Sequence, residues 1–393
     1  MLDTWQGLPL AQREEVPNGV EAPEMVAVLM DGGRLQIRLE QAEAAADADA
    51  QPEPGQPEVP VPAAAQAGAT QATDQADEAD EADEASRQRH WREDKVGVLA
   101  TLHSQVHTTD PCPELPEVFA DPLVVLKLAR EVGHLDGVPA AGTFRRTPPN
   151  EAAQGSTEDG EADAAPAQRS KRPGRPEVLS KRVLASRQES GHFGPLLAAV
   201  AWSLGLFAAA RRAFVADGAD CNWTVQKKYF PRWIPILDFI HALSYVFAAA
   251  LAGRAVQEGW EVYQQWITWL WQGRVQELLE ALRTRWAELG GGSAGVAAAV
   301  ATCVGYVEEH QGRMNYAAYR QQGLPIMSSL VESVVKQIGQ RVKGTEKFWC
   351  DEGAEALLQL RADYLSDDEP LDTFWQERAQ RMTGQRPRHK RVA

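Results

Sequence analysis

VAVLMDGG (residues 26–33) carries five apolar residues straight into an acid and two glycines. An apolar run of that length, closed by a turn signal, reads as a buried strand. RLQIRLE (34–40) alternates apolar with polar, so the two together predict a β-hairpin turning at Gly32-Gly33. KVGVLATLHSQVH (95–107) reads as a third strand, and AFVADGAD (213–220) as a short buried strand that again ends in Asp-Gly. WIPILDFIHALSYVFAAALAG (233–253) starts as a strand and continues as a helix; FADPLVVLKLAREVG (119–133) and GPLLAAVAWSLGLFAAA (194–210) read as helices. Strands first, then strands alternating with helices, predict an α/β fold with a mixed sheet flanked by helices.

Beyond residue 253 the pattern changes. WEVYQQWITWLWQGRVQELLEALRTRWAEL (260–289) has apolar residues at helical spacing and stops at Gly290-Gly291-Gly292. Its five tryptophans read as core. VAAAVATCVGYVEEH (296–310) is a further helix, so 245–320 reads as an all-α insertion. SSLVESVVKQIGQRVKG (328–344) predicts an amphipathic helix with Leu330, Val331, Val334, Val335, Ile338 and Val342 on its apolar face. A last helix is expected around 351–365.

The 393 residues carry a net charge of −15, but residues 39–86 hold thirteen acids and no Lys or Arg, which leaves −2 for the rest. The acidity therefore belongs to an insertion, and a polyanionic partner is not excluded. Residues 40–88 are too poor in apolar side chains to offset chain entropy and are expected to be disordered. Residues 141–190 read as a low-complexity basic linker and 378–393 as a basic tail. The four cysteines form no C-x-x-C pair, which excludes a cysteine-rich zinc module and fits a reducing compartment. The absence of a signal segment or a membrane-length apolar run predicts a soluble, cytoplasmic protein. No Gly-rich phosphate loop, G-x-S-x-G or H-E-x-x-H is present, which weakens hydrolase and zinc protease readings.

Asp31 and Asp217 each follow an apolar run and precede a glycine. A strand-end Asp presents its carboxylate at a sheet edge, although Asp-Gly also simply makes turns. Glu332 reads either as a third acid on the first turn of its helix or as the acidic half of a capping box with Ser329. Asp238 and His241, three apart at a strand-to-helix junction, fit a supporting pair behind the acids or a satisfied, partly buried histidine. His103 and His107 share one side of a strand but lack a third ligand. Lys336, Arg341, Lys343 and Lys347 surround the Glu332 helix, as phosphate backbones require, or form a solvated face. Phe348 and Trp349 suit core packing or base stacking.

Taken together, VAVLMDGGRLQIR (26–38), HWREDKVGVLATLHSQVH (90–107), DPCPELPEVFADP (110–122), AFVADGADCNW (213–223), PILDFIHALSYV (235–246), QGRMNYAAYRQQGLPIMSSLVES (311–333) and VKGTEKFW (342–349) resemble the DDE-type insertion-sequence transposases, which have an RNase H-like catalytic domain. The resemblance implies Asp31, Asp217 and Glu332 as catalytic, metal-binding carboxylates, and Asp238-x-x-His241 as the acidic-and-histidine element behind them. It implies Mg²⁺, with Mn²⁺ as a substitute, and double-stranded DNA held by Lys336, Arg341, Lys343, Lys347 and Trp349. A homodimer on paired element ends and a nucleoid location in the cytoplasm follow from the same likeness. Met327-Ser328-Ser329 replaces the Gly-Ser-Gly frequent before the third acid, and only thirty residues precede Asp31.

The expected organisation is a short N-terminal remnant (1–24), a catalytic core in three parts (25–140, 191–244 and 321–377), the linker, the helical insertion and the tail. The expected function is Mg²⁺-dependent cleavage and strand transfer at element ends. The alternatives are a shortened, catalytically silent remnant that only binds DNA or other subunits, and an RNase H-like nuclease unrelated to transposition.

Overall fold

The computed structural model describes residues 2–9, 12–37, 91–133, 175–292, 294–344 and 347–381. The acidic 40–88 segment, residues 141–174 of the expected basic linker and the tail beyond 381 lie outside the described residues. Five strands form one mixed sheet: β1 (Met25–Gln36), β2 (Trp91–His103), β3 (Glu177–Ser186), β4 (Arg211–Ala216) and β5 (Ile234–Leu237), in the order β3-β2-β1-β4-β5. β1 pairs antiparallel with β2 and parallel with β4; β2 pairs antiparallel with β3, and β4 parallel with β5. The described residues thus form an α/β fold with helices flanking a mixed sheet.

β1 is central, and Met25 to Met30 are all buried. A strand covered on both faces has no polar side to show, which explains its unbroken apolar sequence. The expected hairpin at Gly32-Gly33 does not form. β1 continues through both glycines, which pair with Lys95 and Asp94 of β2. Gly33 stays in the strand because the Asp94 carboxylate fills the space above it: a Cβ on Gly33 would sit 2.7 Å from Asp94 Oδ2. Residues 177–186, assigned from sequence to the basic linker, are instead the edge strand β3. Its outer side is occupied, since the Val183 amide donates to Ser366 Oγ and the Lys181 amide to Asp367. A charged sequence in an edge strand is ordinary, because one side of it meets solvent.

The helices, in chain order, are α1 (Leu2–Gly7), α2 (Pro122–Val132), α3 (Ser190–Ser203), α4 (Asp220–Tyr229), α5 (Phe239–Leu251), α6 (Val256–Trp271), α7 (Val275–Glu288), α8 (Val296–His310), α9 (Tyr316–Gln321), α10 (Ser329–Val342), α11 (Asp351–Tyr364) and α12 (Pro370–Arg381). Local chemistry sets their ends. Asp121 caps α2 by accepting the Leu123 and Val124 amides, Pro122 fills its first turn, and Gly133 closes it at φ +86°. The single helix expected over 260–289 is two, because the chain reverses at Gly273, whose φ is +75°. Residues 2–7 are helical and their Trp5 belongs to the core, so the segment read as a remnant packs onto the domain.

The two sheet faces are covered differently. A Cβ on Gly97 would meet Leu197 and Phe193, which places α3 over the face shared by Gly97 and its partner Met30. Asp31 points the other way, since side chains alternate along a strand. That second face carries α10, with Val331, Val334, Ile338 and Val342 buried as the spacing predicts. Between β5 and α10 the described residues are helical or irregular only, and Phe239 joins this helical block to the sheet: its ring packs at 5.1 Å from those of Phe119, Trp271 and Tyr316. Phe239→Ala removes the shared partner of all three and is expected to lower unfolding free energy by about 3–5 kcal/mol, read from urea denaturation.

Candidate functional site

The site grows out of strand register. Met30 pairs with Ala216, and Ala216 with Leu237, on three neighbouring parallel strands. The next residue of each strand is acidic: Asp31, Asp217 and Asp238 therefore line the same edge of the sheet. The carboxyl ends of parallel strands are where chain leaves the sheet and a crevice opens. Glu332, on the first turn of α10, faces this row. The structure thus brings Asp31, Asp217 and Glu332 into electrostatic reach of one another, although they are widely separated in sequence.

Each acid is held differently. Asp31 Oδ1 accepts the Gly32 amide at 2.7 Å. Burial, with the charges of Asp217 and Glu332, raises its pKa to about 6 against the pull of that amide and of His241. Asp217 Oδ1 accepts the Ala219 amide at 2.9 Å and the Asn222 side-chain amide at 2.8 Å, which fixes it at the entry to α4. Glu332 Oε1 accepts the Ser328 hydroxyl at 2.8 Å. Burial and the Asp238 charge push its carboxyl above the usual range. The capping box is not formed as the spacing suggested: α10 starts at Ser329, its N-cap is Ser328, and no side-chain cap bond is made.

Asp238 is fully buried and completely engaged. Its Oδ1 accepts the Ser328 amide at 2.6 Å, and its Oδ2 accepts the His241 amide at 3.0 Å and bonds His241 Nδ1 at 2.8 Å. Burial alone would lower the His241 pKa. The hydrogen bond and charge of Asp238, with those of Asp217 and Asp31, outweigh it and raise the pKa to about 9. His241 is therefore an imidazolium at neutral pH, a positive charge inside the acid cluster.

Asp238, His241 and Glu332 offer ligand atoms within 4.8 Å of one another, the one such group among the described residues. A protonated histidine and an Asp with both oxygens occupied make poor metal ligands. Asp31, Asp217 and Glu332 do not meet that single-ion spacing and form a wider set of acids. His103 and His107 join no such group; His103 lies 3.9 Å from Glu24, and the His107 amide donates to Gln321 O.

The basic residues around α10 are exposed: Lys336 pairs with Glu131 of α2 at 2.8 Å, and Lys347 Nζ donates to Arg341 O at 3.1 Å. Lys343 is exposed and close enough to act on Asp94. Trp349 is half-buried: its indole N–H donates to Val342 O at 2.9 Å, its amide donates to Gln36 O, and part of its ring lies against the core.

Five contributors escaped the sequence reading. Ser328 and Asn222 orient acids through ordinary polar side chains that carry no spacing signal. Asp94 is buried opposite Gly33, and burial raises its pKa to about 6 despite Lys343; the signal was an acid inside the strand of HWREDKVG. Tyr306 and His310, one turn apart on α8, reach the site from the helical block. A Cβ on Gly218 would sit 2.4 Å from Tyr306 Cε2 and 3.0 Å from His310 Nε2. Tyr306 stacks on Tyr245 at 3.8 Å, and the Asp217 charge helps raise both phenols.

No family model, no curated protein and no solved structure matches this chain.

A group whose folded pKa lies above its ordinary 6.5 stabilises the fold fully below that value and loses the contribution as pH rises through the folded value. In chelator-treated buffer, stability is therefore expected to fall between pH 6.5 and about 9 through His241. His241→Gln should flatten urea midpoints across that window.

Proposed function

We propose that this chain is a Mg²⁺-dependent DNA-cleaving and strand-transferring enzyme of the DDE transposase kind, built on an RNase H-like core. The observation that carries the reading is the row of acids at the ends of adjacent parallel strands, completed by Glu332 from α10. The five-stranded mixed sheet with flanking helices is compatible with such a core.

The residues suit divalent cations. Asp31 sits among carboxylates that oppose its ionisation, and the electrostatic strain is relieved by positive charge. Oxygen ligands are what Mg²⁺ prefers, and Asp31, Asp217 and Glu332 are the carboxylates that would hold it. Bound there, the ions supply the charge neutralisation that in-line displacement at phosphorus requires at the attacking and leaving oxygens. The chain's own groups do the positioning. Asn222 and the Ala219 amide hold Asp217, Ser328 holds Glu332, and Asp238 holds Ser328 and His241 together. The His241 imidazolium keeps neighbouring acids ionised. Lys336, Arg341, Lys343 and Lys347 present exposed cations to DNA phosphates, Lys336 by exchanging Glu131 for a phosphate. Double-stranded DNA is the partner in this reading, and a homodimer on paired ends the acting form. No helix among the described residues is long and apolar enough to cross a membrane.

The purified chain is tested on duplexes drawn from the DNA that flanks its gene. Mg²⁺ is expected to support cleavage and to raise the melting temperature of the unmodified protein. Asp31→Asn, Asp217→Asn and Glu332→Gln should each abolish cleavage while leaving DNA affinity largely intact, and the two Asn variants should lose the Mg²⁺-induced melting shift. Undiminished cleavage by Asp217→Asn would exclude the assignment.

A further inference from the structure

We propose that α12 is the contact through which two copies of this chain pair, antiparallel, about a two-fold axis at Trp375. α12 leans on the domain only at its start. Pro370 and Leu371 are partly buried, and every side chain described from Asp372 onward is exposed. A helix of 12 residues is marginal in water by itself, so one that stands off the body gains from a second surface.

The helix carries an apolar face for that surface. Leu371, Phe374, Trp375, Arg378 and Ala379 recur at i, i+3, i+4, i+7 and i+8, with Gln376 and Gln380 opposite. Phe374 and Trp375 are 52 % and 51 % exposed and meet edge-on, their ring centroids 5.0 Å apart. Rigid aromatic side chains give contact area at little entropic cost. The chain entering α12 adds to the patch. Tyr364 is 68 % exposed at the end of α11, and Leu179 is exposed in β3, two residues before the Lys181 whose carbonyl takes the Asp367 amide. Single exposed apolar side chains are ordinary, whereas a cluster of aromatic ones marks an interface.

Charge selects a second copy, and its direction. Asp372 precedes Trp375 by three residues and Arg378 follows it by three. Arg378 lies over the Trp375 ring at 5.6 Å, and neither it nor Asp372 has an ion-pair partner among the described residues. An antiparallel pair crossing at Trp375 brings each Asp372 level with the partner's Arg378. A parallel pair would set like charges against each other. The antiparallel contact is isologous, so it closes as a dimer. It rests on α12 alone, not on the nuclease reading, whose homodimer has no surface assigned to it.

Sedimentation velocity of the full chain, without DNA or Mg²⁺, reads the pairing over a dilution series. The mass should pass from two chains to one as the protein is diluted. Trp375→Glu and Phe374→Glu, at exposed positions, should keep the urea midpoint. Each should raise the dimer dissociation constant about thirtyfold or more, as loss of a central aromatic anchor does. Asp372→Arg should raise it about tenfold by setting like charges together. Adding Arg378→Asp to that chain should return it, because the pair is then reversed in both copies. A single chain at every concentration, a dimer untouched by both Glu variants, or no recovery in the charge-reversed double variant overturns the proposal. With neither DNA nor metal present, none of these outcomes bears on cleavage.

Discussion

The buried carboxylate of Asp238 is the constraint on which the site depends. An ionised group wholly removed from water must have its lone pairs filled, and here they are filled from two distant parts of the chain. One oxygen takes the Ser328 amide and the other takes the amide and ring of His241. The first contact ties the start of α10 to the end of β5; the second orients the imidazole. The Phe239 amide adds a parallel tie to Ile326 O. With these bonds made, Ser328 is fixed and Glu332 is carried into the acid row by the placement of α10 and by the Ser328 hydroxyl that it accepts. The row itself comes from register alone, because the parallel pairing of β1 with β4 and of β4 with β5 stops on one step, at Met30, Ala216 and Leu237. Loss of the Asp238 carboxylate would leave Ser328 N–H unsatisfied and His241 without its principal counter-charge, so its effect would reach well past one residue.

The helical block between β5 and α10 is not an ornament on the sheet. Through Tyr306 and His310 it closes against Gly218, immediately after Asp217, so a residue without a side chain is required there. His310 in turn bonds Arg313 at 2.6 Å, and Arg313 lies over the Trp223 ring at 4.2 Å. A chain of ring and cation contacts therefore runs from the block to α4, the helix that follows Asp217. Asp217 is fixed by its own Asx turn and by Asn222, and the block closes on the glycine beside it. Such double support keeps a half-buried acid from relaxing toward solvent.

Much of this was legible in the sequence where period and burial coincide. The Val26–Met30 run, the Ala213–Ala216 run and the apolar stripe of α10 each gave the right element, because burial on one or both faces writes itself into the pattern. The misreadings have a common physical source in pairing partners far away in sequence. Gly32-Gly33 looked like a turn because Asp94, which fills the space above Gly33, lies beyond a long insertion. Residues 177–186 looked like a linker because an edge strand whose outer side is met by Ser366 and Asp367 has no need of apolar alternation. Gly273 was passed over because a single glycine in a periodic stretch is often tolerated. At the site, the acids were visible as a repeated context after apolar runs. Their supports, Ser328, Asn222, Tyr306 and His310, were not, since tertiary placement alone gives them a role.

β1 and β2 remain in register as far as Gln36 opposite Trp91, so the sheet holds these two points of the chain side by side. Closure entropy grows only logarithmically, each doubling of an excursion adding about 0.6 kcal/mol. The sheet is therefore nearly indifferent to the cargo carried there. That position behaves as a natural splice port, where evolution can lengthen, shorten or exchange a segment, and a protein engineer can graft a reporter domain, without asking the acid row to move.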